Sequence, residues 1–264
     1  MNDLGLLVRA TLHLYRQAAA DASRALANNS WAIILLPAFS VLIGLAARLA
    51  SGLGMAGGLL VYLALAAATS AFLSILEGAV GKESVQPSDL AESFGRYVGS
   101  VVGLFFVFYV IQILLSLITQ QNPSMLWVAI AIDALLFLVC NPLPELVYQG
   151  RREGLALVDD AVQFMRENSV EWLVPVAVML LPFFLAGLPM GVVAMTEMGP
   201  SSALGLLTNL VEGWLPDAGG VARWAAPLLA SAILCWVMMF RGFLFKALDR
   251  SGRRQRVFEA RMRG

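Results

Sequence analysis

Six apolar stretches, each long enough to cross a bilayer, occupy most of this chain and constrain its fold more than any other feature. The hydrocarbon core of a membrane is about 30 Å thick, which an α-helix of about 20 apolar residues crosses. Hydrophobic residues make up 59% of the chain and charged residues 14%, against roughly a quarter charged in soluble domains. The sequence therefore predicts an all-α, polytopic membrane helix bundle with spans near 31–50, 57–80, 99–120, 125–149, 171–196 and 222–247.

These spans leave little room for an extramembrane domain. We expect one integral membrane domain over 1–264, with an interfacial helix at 1–30, the six-span bundle at 31–247 and a basic tail at 248–264. The bilayer is its first expected partner.

The distribution of basic residues predicts the orientation. Segments 1–30, 81–98, 150–170 and the part from 241 onward hold sixteen of the 18 Lys and Arg, which leaves Arg48 and Arg223 for the other side. Cytoplasmic loops carry the excess of Lys and Arg, so both termini are predicted to be cytoplasmic, in a bacterial inner membrane. Aromatic residues typical of the two interfaces agree: Trp31, Tyr97, Tyr148 and Trp172 at the inner one, and Trp127, Trp214 and Trp224 at the outer one.

A cytoplasmic amphipathic helix is predicted before spans one, three and five. The third copy is the clearest, since Leu155, Val158, Val162 and Met165 form an apolar stripe. An offset of 139 residues aligns Asp21-Ala22 with Asp160-Ala161 and Asn29-Ser30 with Asn168-Ser169. This alignment favours three helical hairpins of the same handedness, as in transporters built from parallel repeats, and chance similarity between two membrane boundaries is the alternative.

Polar residues inside the spans are the candidate functional site, because ionisable groups in a membrane need a partner or water. Asp133 lies in span four. Further along, Pro142 and Pro144 must kink or break the helix between Asn141 and Glu145. Glu77, Glu145 and Arg241 should lie at similar depth, with Arg96 as a further donor. Such a cluster either locks three spans together or forms a gate or substrate site. For Asp133, a structural role and a functional role are equally favoured.

Basic residues dominate the end of the chain. Arg250, Arg253, Arg254 and Arg256 follow the last span directly. They predict attraction to anionic lipid of the inner leaflet, and a topology-fixing role is the alternative.

Sequence motifs of enzymes are missing. The chain has one histidine, His13, and carries no HExxH motif and no phosphate-binding glycine loop. We therefore expect no enzyme activity, no metal, no cofactor and no nucleic-acid partner. Any transport against a gradient would need a coupling ion or an ATPase on another chain.

The repeated unit resembles that of poorly characterised six-span bacterial inner-membrane families related to the membrane domain of glycerophosphoryl diester phosphodiesterases. The residues that support this resemblance are Pro87-Ser88-Asp89-Leu90 and Leu157-Val158-Asp159-Asp160-Ala161, which introduce the inner helices. The resemblance covers nearly the whole chain. It implies a non-enzymatic role in transport or membrane organisation, with no catalytic residues to carry over.

The layout is also similar to the permease subunit of type-2 ABC exporters. That family has an N-terminal interfacial helix, six spans, a cytoplasmic coupling helix after span two and an outer helix before span six, here 201–214. The coupling helix would hold Ser88, Asp89, Glu92, Phe94, Arg96 and Tyr97. This resemblance implies a separate ATPase subunit as partner, whereas the first leaves self-association open. The long, helical connection between spans four and five departs from the exporter pattern.

Overall fold

The structure, a computed structural model, describes residues 3–81, 84–150, 152–185 and 219–250. Within these ranges the regular structure is helical and contains no strand, which confirms the all-α prediction. The described α-helices are α1 (Asp3–Asn28), α2 (Ala32–Ala50), α3 (Met55–Val80), α4 (Leu90–Arg96), α5 (Val98–Gln121), α6 (Leu126–Cys140), α7 (Leu143–Gln149), α8 (Ala156–Leu185) and α9 (Gly219–Arg250).

Among the described residues, five helical stretches are long and apolar enough to cross a membrane: Ala32–Leu53, Ala56–Val80, Val98–Gln121, Pro123–Gln149 and Ala225–Asp249. They match five of the six predicted spans. Of the predicted span at 171–196, residues 171–185 are helical within α8, and the rest lies outside the described residues. The chain therefore has the helices of a multi-pass membrane protein.

A tight connection joins α2 to α3. The short 3-10 helix Ser51–Leu53 ends at Gly54, whose φ of 55° is a conformation that residues with a Cβ rarely adopt. At Gly57, an added Cβ would collide with the backbone carbonyl of Ala50. These two glycines therefore let α2 and α3 pack closely as a helical hairpin.

The inner helix before α5 is short. Pro87–Asp89 forms a 3-10 turn, in which the backbone N–H of Gln86 donates to Asp89 Oδ2 at 3.1 Å. α4 then covers Leu90–Arg96 and ends at Tyr97, whose φ of −115° lies outside the helical range. This inner helix is therefore much shorter than α1, which precedes span one.

Two helices change direction where the sequence predicts a boundary. α6 ends at Cys140 and α7 begins at Leu143, so the break falls at Asn141 and Pro142, where a proline has no N–H to continue the helical bonds. α8 is kinked at Asn168, whose φ of −128° is not helical. The kink separates the predicted amphipathic helix from the predicted fifth span.

The core is concentrated at one end of the bundle. α3 contacts α1, α2, α4, α5, α7 and α9, and α9 contacts α1, α2, α3, α7 and α8. In both helices the C-terminal half is the more buried, as at Leu76 and Leu244. By contrast, α5 and α6 expose large apolar side chains such as Phe106 and Leu135. This exposed apolar surface is typical of helices that face lipid.

Candidate functional site: three polar clusters in the bundle

Glu145 of α7 and Arg241 of α9 form a buried ion pair. Arg241 donates from Nε to Glu145 Oε1 at 2.8 Å and from Nη2 to Oε2 at 2.9 Å, the two-pronged geometry in which a guanidinium matches a carboxylate. Glu145 is completely buried, and the Arg241 side chain is 14% exposed. Arg241 also donates to the carbonyl of Asn141, the residue at the break before α7, at 2.6 Å. The break therefore contributes directly to this geometry.

Trp172 of α8 closes this cluster from a third helix. Its ring lies 5.1 Å from the Arg241 guanidinium carbon, within the range of a cation–π contact. Its indole Nε1 donates to Asn141 Oδ1 at 2.9 Å. The carboxylate, the guanidinium and the amide oxygen thus all have partners within the protein. We call Asn141, Glu145, Trp172 and Arg241 the inner cluster.

Glu77 belongs to a separate cluster. It lies near the C-terminal end of α3 and pairs with Arg96, from whose Nη1 the distance to Glu77 Oε2 is 2.9 Å. Tyr97 donates its phenol to the same carboxylate oxygen at 2.7 Å. Burial raises the pKa of Tyr97, and its hydrogen bond to Glu77 raises it further, so the phenol stays protonated as a donor at neutral pH. The sequence predicts a network of Glu77, Glu145 and Arg241. In the structure Glu145 pairs with Arg241, whereas Glu77 pairs with Arg96 instead.

The predicted partner-contact helix is fixed to the bundle on one face. Ser93 is buried and its carbonyl accepts from the Ser70 hydroxyl of α3 at 3.4 Å, and Phe94 packs edge-on against Phe39 of α2 with ring centroids 5.7 Å apart. On the other face Ser88, Asp89, Glu92 and Arg96 are exposed. The segment 88–97 therefore combines a fixed position with a polar surface.

Asp133 of α6 has a partner that the sequence interpretation did not include. Gln112 of α5 donates from Nε2 to Asp133 Oδ1 at 2.8 Å. The signal available in the sequence was a glutamine, Gln112, in the middle of a predicted span. The bond joins α5 to α6, and Asp133 is not part of the other two clusters.

The two aligned boundaries share a detailed arrangement. Ala22 and Ala161 are both fully buried. Asn29 and Asn168, seven residues later, each donate the side-chain amide to the carbonyl four residues earlier, at 3.0 and 3.4 Å. Both asparagines are buried, and both lie where the helical conformation is interrupted.

A tryptophan follows each of these asparagines. Asn29 also accepts from the backbone N–H of Val85 at 2.9 Å, and Trp31 donates to the Val85 carbonyl at 3.0 Å. The α1–α2 junction therefore clamps the connection after α3. Trp172 similarly holds Asn141 at the α6–α7 break.

The basic tail is mostly outside the described residues. Arg250 is the last residue of α9, and Arg253, Arg254 and Arg256 lie beyond the described ranges, as does the predicted outer helix at 201–214. Within the described ranges, no group of three or more His, Cys, Asp or Glu is placed to hold a metal ion.

Comparisons of the chain with protein-family models, with curated proteins and with solved structures found no match. The chemistry of the three clusters is that of helix-to-helix attachment: two of them pair a carboxylate with an arginine of the same chain, and the third holds Asp133 by a hydrogen bond from Gln112.

Proposed function

We propose that this chain is a non-enzymatic, multi-pass protein of the bacterial inner membrane that supports transport or membrane organisation as a fixed helical scaffold. The observation that carries this proposal is the Glu145–Arg241 pair, which is bidentate and buried from solvent. A charge that binds a passing substrate must exchange partners, whereas this pair is held by Asn141 and Trp172 as well. Attachment of α7, α8 and α9 to one another is the role that this geometry favours.

The proposed layout has six spans, with the fifth over 171–196 and both termini in the cytoplasm. The supporting features are the five apolar helices, the kink of α8 at Asn168 and the excess of Lys and Arg on one side. In this layout the amphipathic helices before spans one, three and five lie at the inner membrane surface. The basic tail, with Arg253, Arg254 and Arg256, then meets anionic lipid there.

Purification of the tagged protein in mild detergent, followed by mass spectrometry of the intact assembly, tests this proposal. We expect the protein alone or as a homo-oligomer, with bound lipid and no stoichiometric ATPase. A nucleotide-binding ATPase at a fixed ratio would contradict the stand-alone role.

The alternative is the permease subunit of a type-2 ABC exporter, which the exposed face of α4 favours. Glu92 is exposed on α4, and the buried Ser93 and the contact of Phe94 with Phe39 fix this helix to the bundle, as a surface for a partner subunit requires. If an ATPase is recovered, Glu92→Arg should release it. Glu167→Arg, a charge reversal at an exposed position of α8, is the matched control and should leave the complex intact.

A further inference from the structure

A cavity of about 150 Å³ lies between α1, α3 and α9, close to the junction of α1 with α2. A single water molecule needs only about 10–15 Å³ on this measure, so the cavity has room for a larger ligand. Its walls carry a carboxylate, a guanidinium, two amides and three apolar side chains: Asp21, Arg24, Asn28, Asn29, Ala25, Ala79 and Phe243.

The two charges of this cavity are arranged in order of depth. The Asp21 side chain is 17% exposed, whereas that of Arg24 is 75% exposed. The carboxylate is therefore the more sheltered of the two charges, and the guanidinium is the more exposed. Arg24 Nη2 donates to Asp21 Oδ1 at 2.7 Å, and both groups have further hydrogen-bonding capacity for a ligand.

A zwitterion with an ammonium at one end and a phosphate at the other matches this order of charges. We propose that the cavity binds the phosphoethanolamine headgroup of a membrane lipid, with its ammonium towards Asp21 and its phosphate towards Arg24. The Phe243 ring offers the ammonium a cation–π contact, and a guanidinium matches phosphate oxygens in pairs.

A lipid is the expected source because α2, the first candidate span, begins at Ala32, only a few residues after the cavity-lining Asn28. The placement of the cavity at the inner membrane surface rests on the proposed function. A choline headgroup has no N–H to donate to Asp21, and a glycerol headgroup has no cationic group to add to the one donor that Arg24 already supplies. The cavity should therefore distinguish lipids by their headgroups.

Native mass spectrometry of the full chain in detergent tests this specificity. The protein is mixed with phosphatidylethanolamine, phosphatidylcholine or phosphatidylglycerol of identical acyl chains. We expect phosphatidylethanolamine to bind about tenfold more tightly than phosphatidylcholine, the effect of one charge-assisted hydrogen bond. Asp21→Asn should reduce this preference, because a neutral amide oxygen accepts a weaker hydrogen bond from the ammonium than a carboxylate does.

Asp160→Asn is the matched control, because Asp160 aligns with Asp21 and is paired with Arg152 at 3.1 Å with a similar side-chain exposure of 21%. It should retain the preference. Equal binding of the three lipids, or equal loss in both variants, would overturn the inference. Free phosphoethanolamine that binds as tightly as the lipid would overturn the assignment to a lipid. A co-purified ATPase would instead overturn the proposed function and leave the lipid comparison valid.

Discussion

Glu145 and Arg241 depend on each other because neither charge has access to bulk water. Removal of one partner from a buried pair typically costs about 3–5 kcal/mol, whereas replacement of both by apolar groups is often neutral. We therefore expect Arg241→Met to lower the free energy of unfolding by about that amount. The double variant Glu145→Leu with Arg241→Met should recover most of it. Thermal unfolding in detergent measures both, and a double variant as unstable as the single one would contradict a purely structural role.

Asp133 can be tested by separating its hydrogen bond from its charge. Asparagine at this position still offers an oxygen to Gln112, so Asp133→Asn should leave stability and cellular function unchanged. Asp133→Leu and Gln112→Leu should each lower the free energy of unfolding by about 0.6–2 kcal/mol, the range for hydrogen bonds between membrane helices. The double variant should be no less stable than either single variant. Loss of function in Asp133→Asn with normal expression would instead place Asp133 on a transport pathway.

At the scale of elements, the approach of α7 to α9 depends on Gly242. A Cβ there would collide with the Tyr148 hydroxyl and come within 2.7 Å of a Val80 methyl carbon. Gly242→Ala should therefore destabilise the protein by about 1–3 kcal/mol, as overpacking does. Gly103→Ala in α5 is the control, because an added Cβ meets nothing within 4 Å there, and it should be neutral or stabilising. Equal thermal stability of the two variants would show that α7 can shift away from α9.

The sequence was sufficient to predict most of the elements but few of their partners. Apolar length predicts a span because the bilayer imposes it, and the break at Pro142 follows from a missing N–H. The pairing of Glu77 with Arg96 rather than Arg241 depends on the rotation and lateral position of each helix. Trp172 was predicted only as an interfacial residue, since its bond to Asn141 joins elements distant in sequence. The hydropathy of a segment does not indicate which helices or side chains it will contact.

At the scale of the whole molecule, the polar contacts are found at the end where the buried halves of α3 and α9 lie. These contacts are the hydrogen bond of Asn29 to Val85, the Glu77–Arg96 pair and the inner cluster. In the proposed orientation this end faces the cytoplasm, because the segments that adjoin it in the sequence carry most of the Lys and Arg. We expect it to be the more rigid end of the protein. Its other end presents mainly apolar helix surfaces to lipid.

This orientation predicts which loops a membrane-impermeant maleimide reaches. The background is the variant without Cys140 and Cys235, of which the latter is buried. Ser51→Cys and Ser124→Cys, in the short exposed connections after α2 and α5, should react in intact spheroplasts. Ala27→Cys and Glu153→Cys, exposed near the α1–α2 and α7–α8 junctions, should react only after the membrane is opened, because Lys and Arg keep those segments inside. The reverse pattern would invert the topology, and reaction of Ala27→Cys and Glu153→Cys on opposite sides would contradict an even number of crossings between them. The reverse pattern would also remove the cytoplasmic placement of α1, and with it the inner-leaflet source proposed for the headgroup beside Asp21.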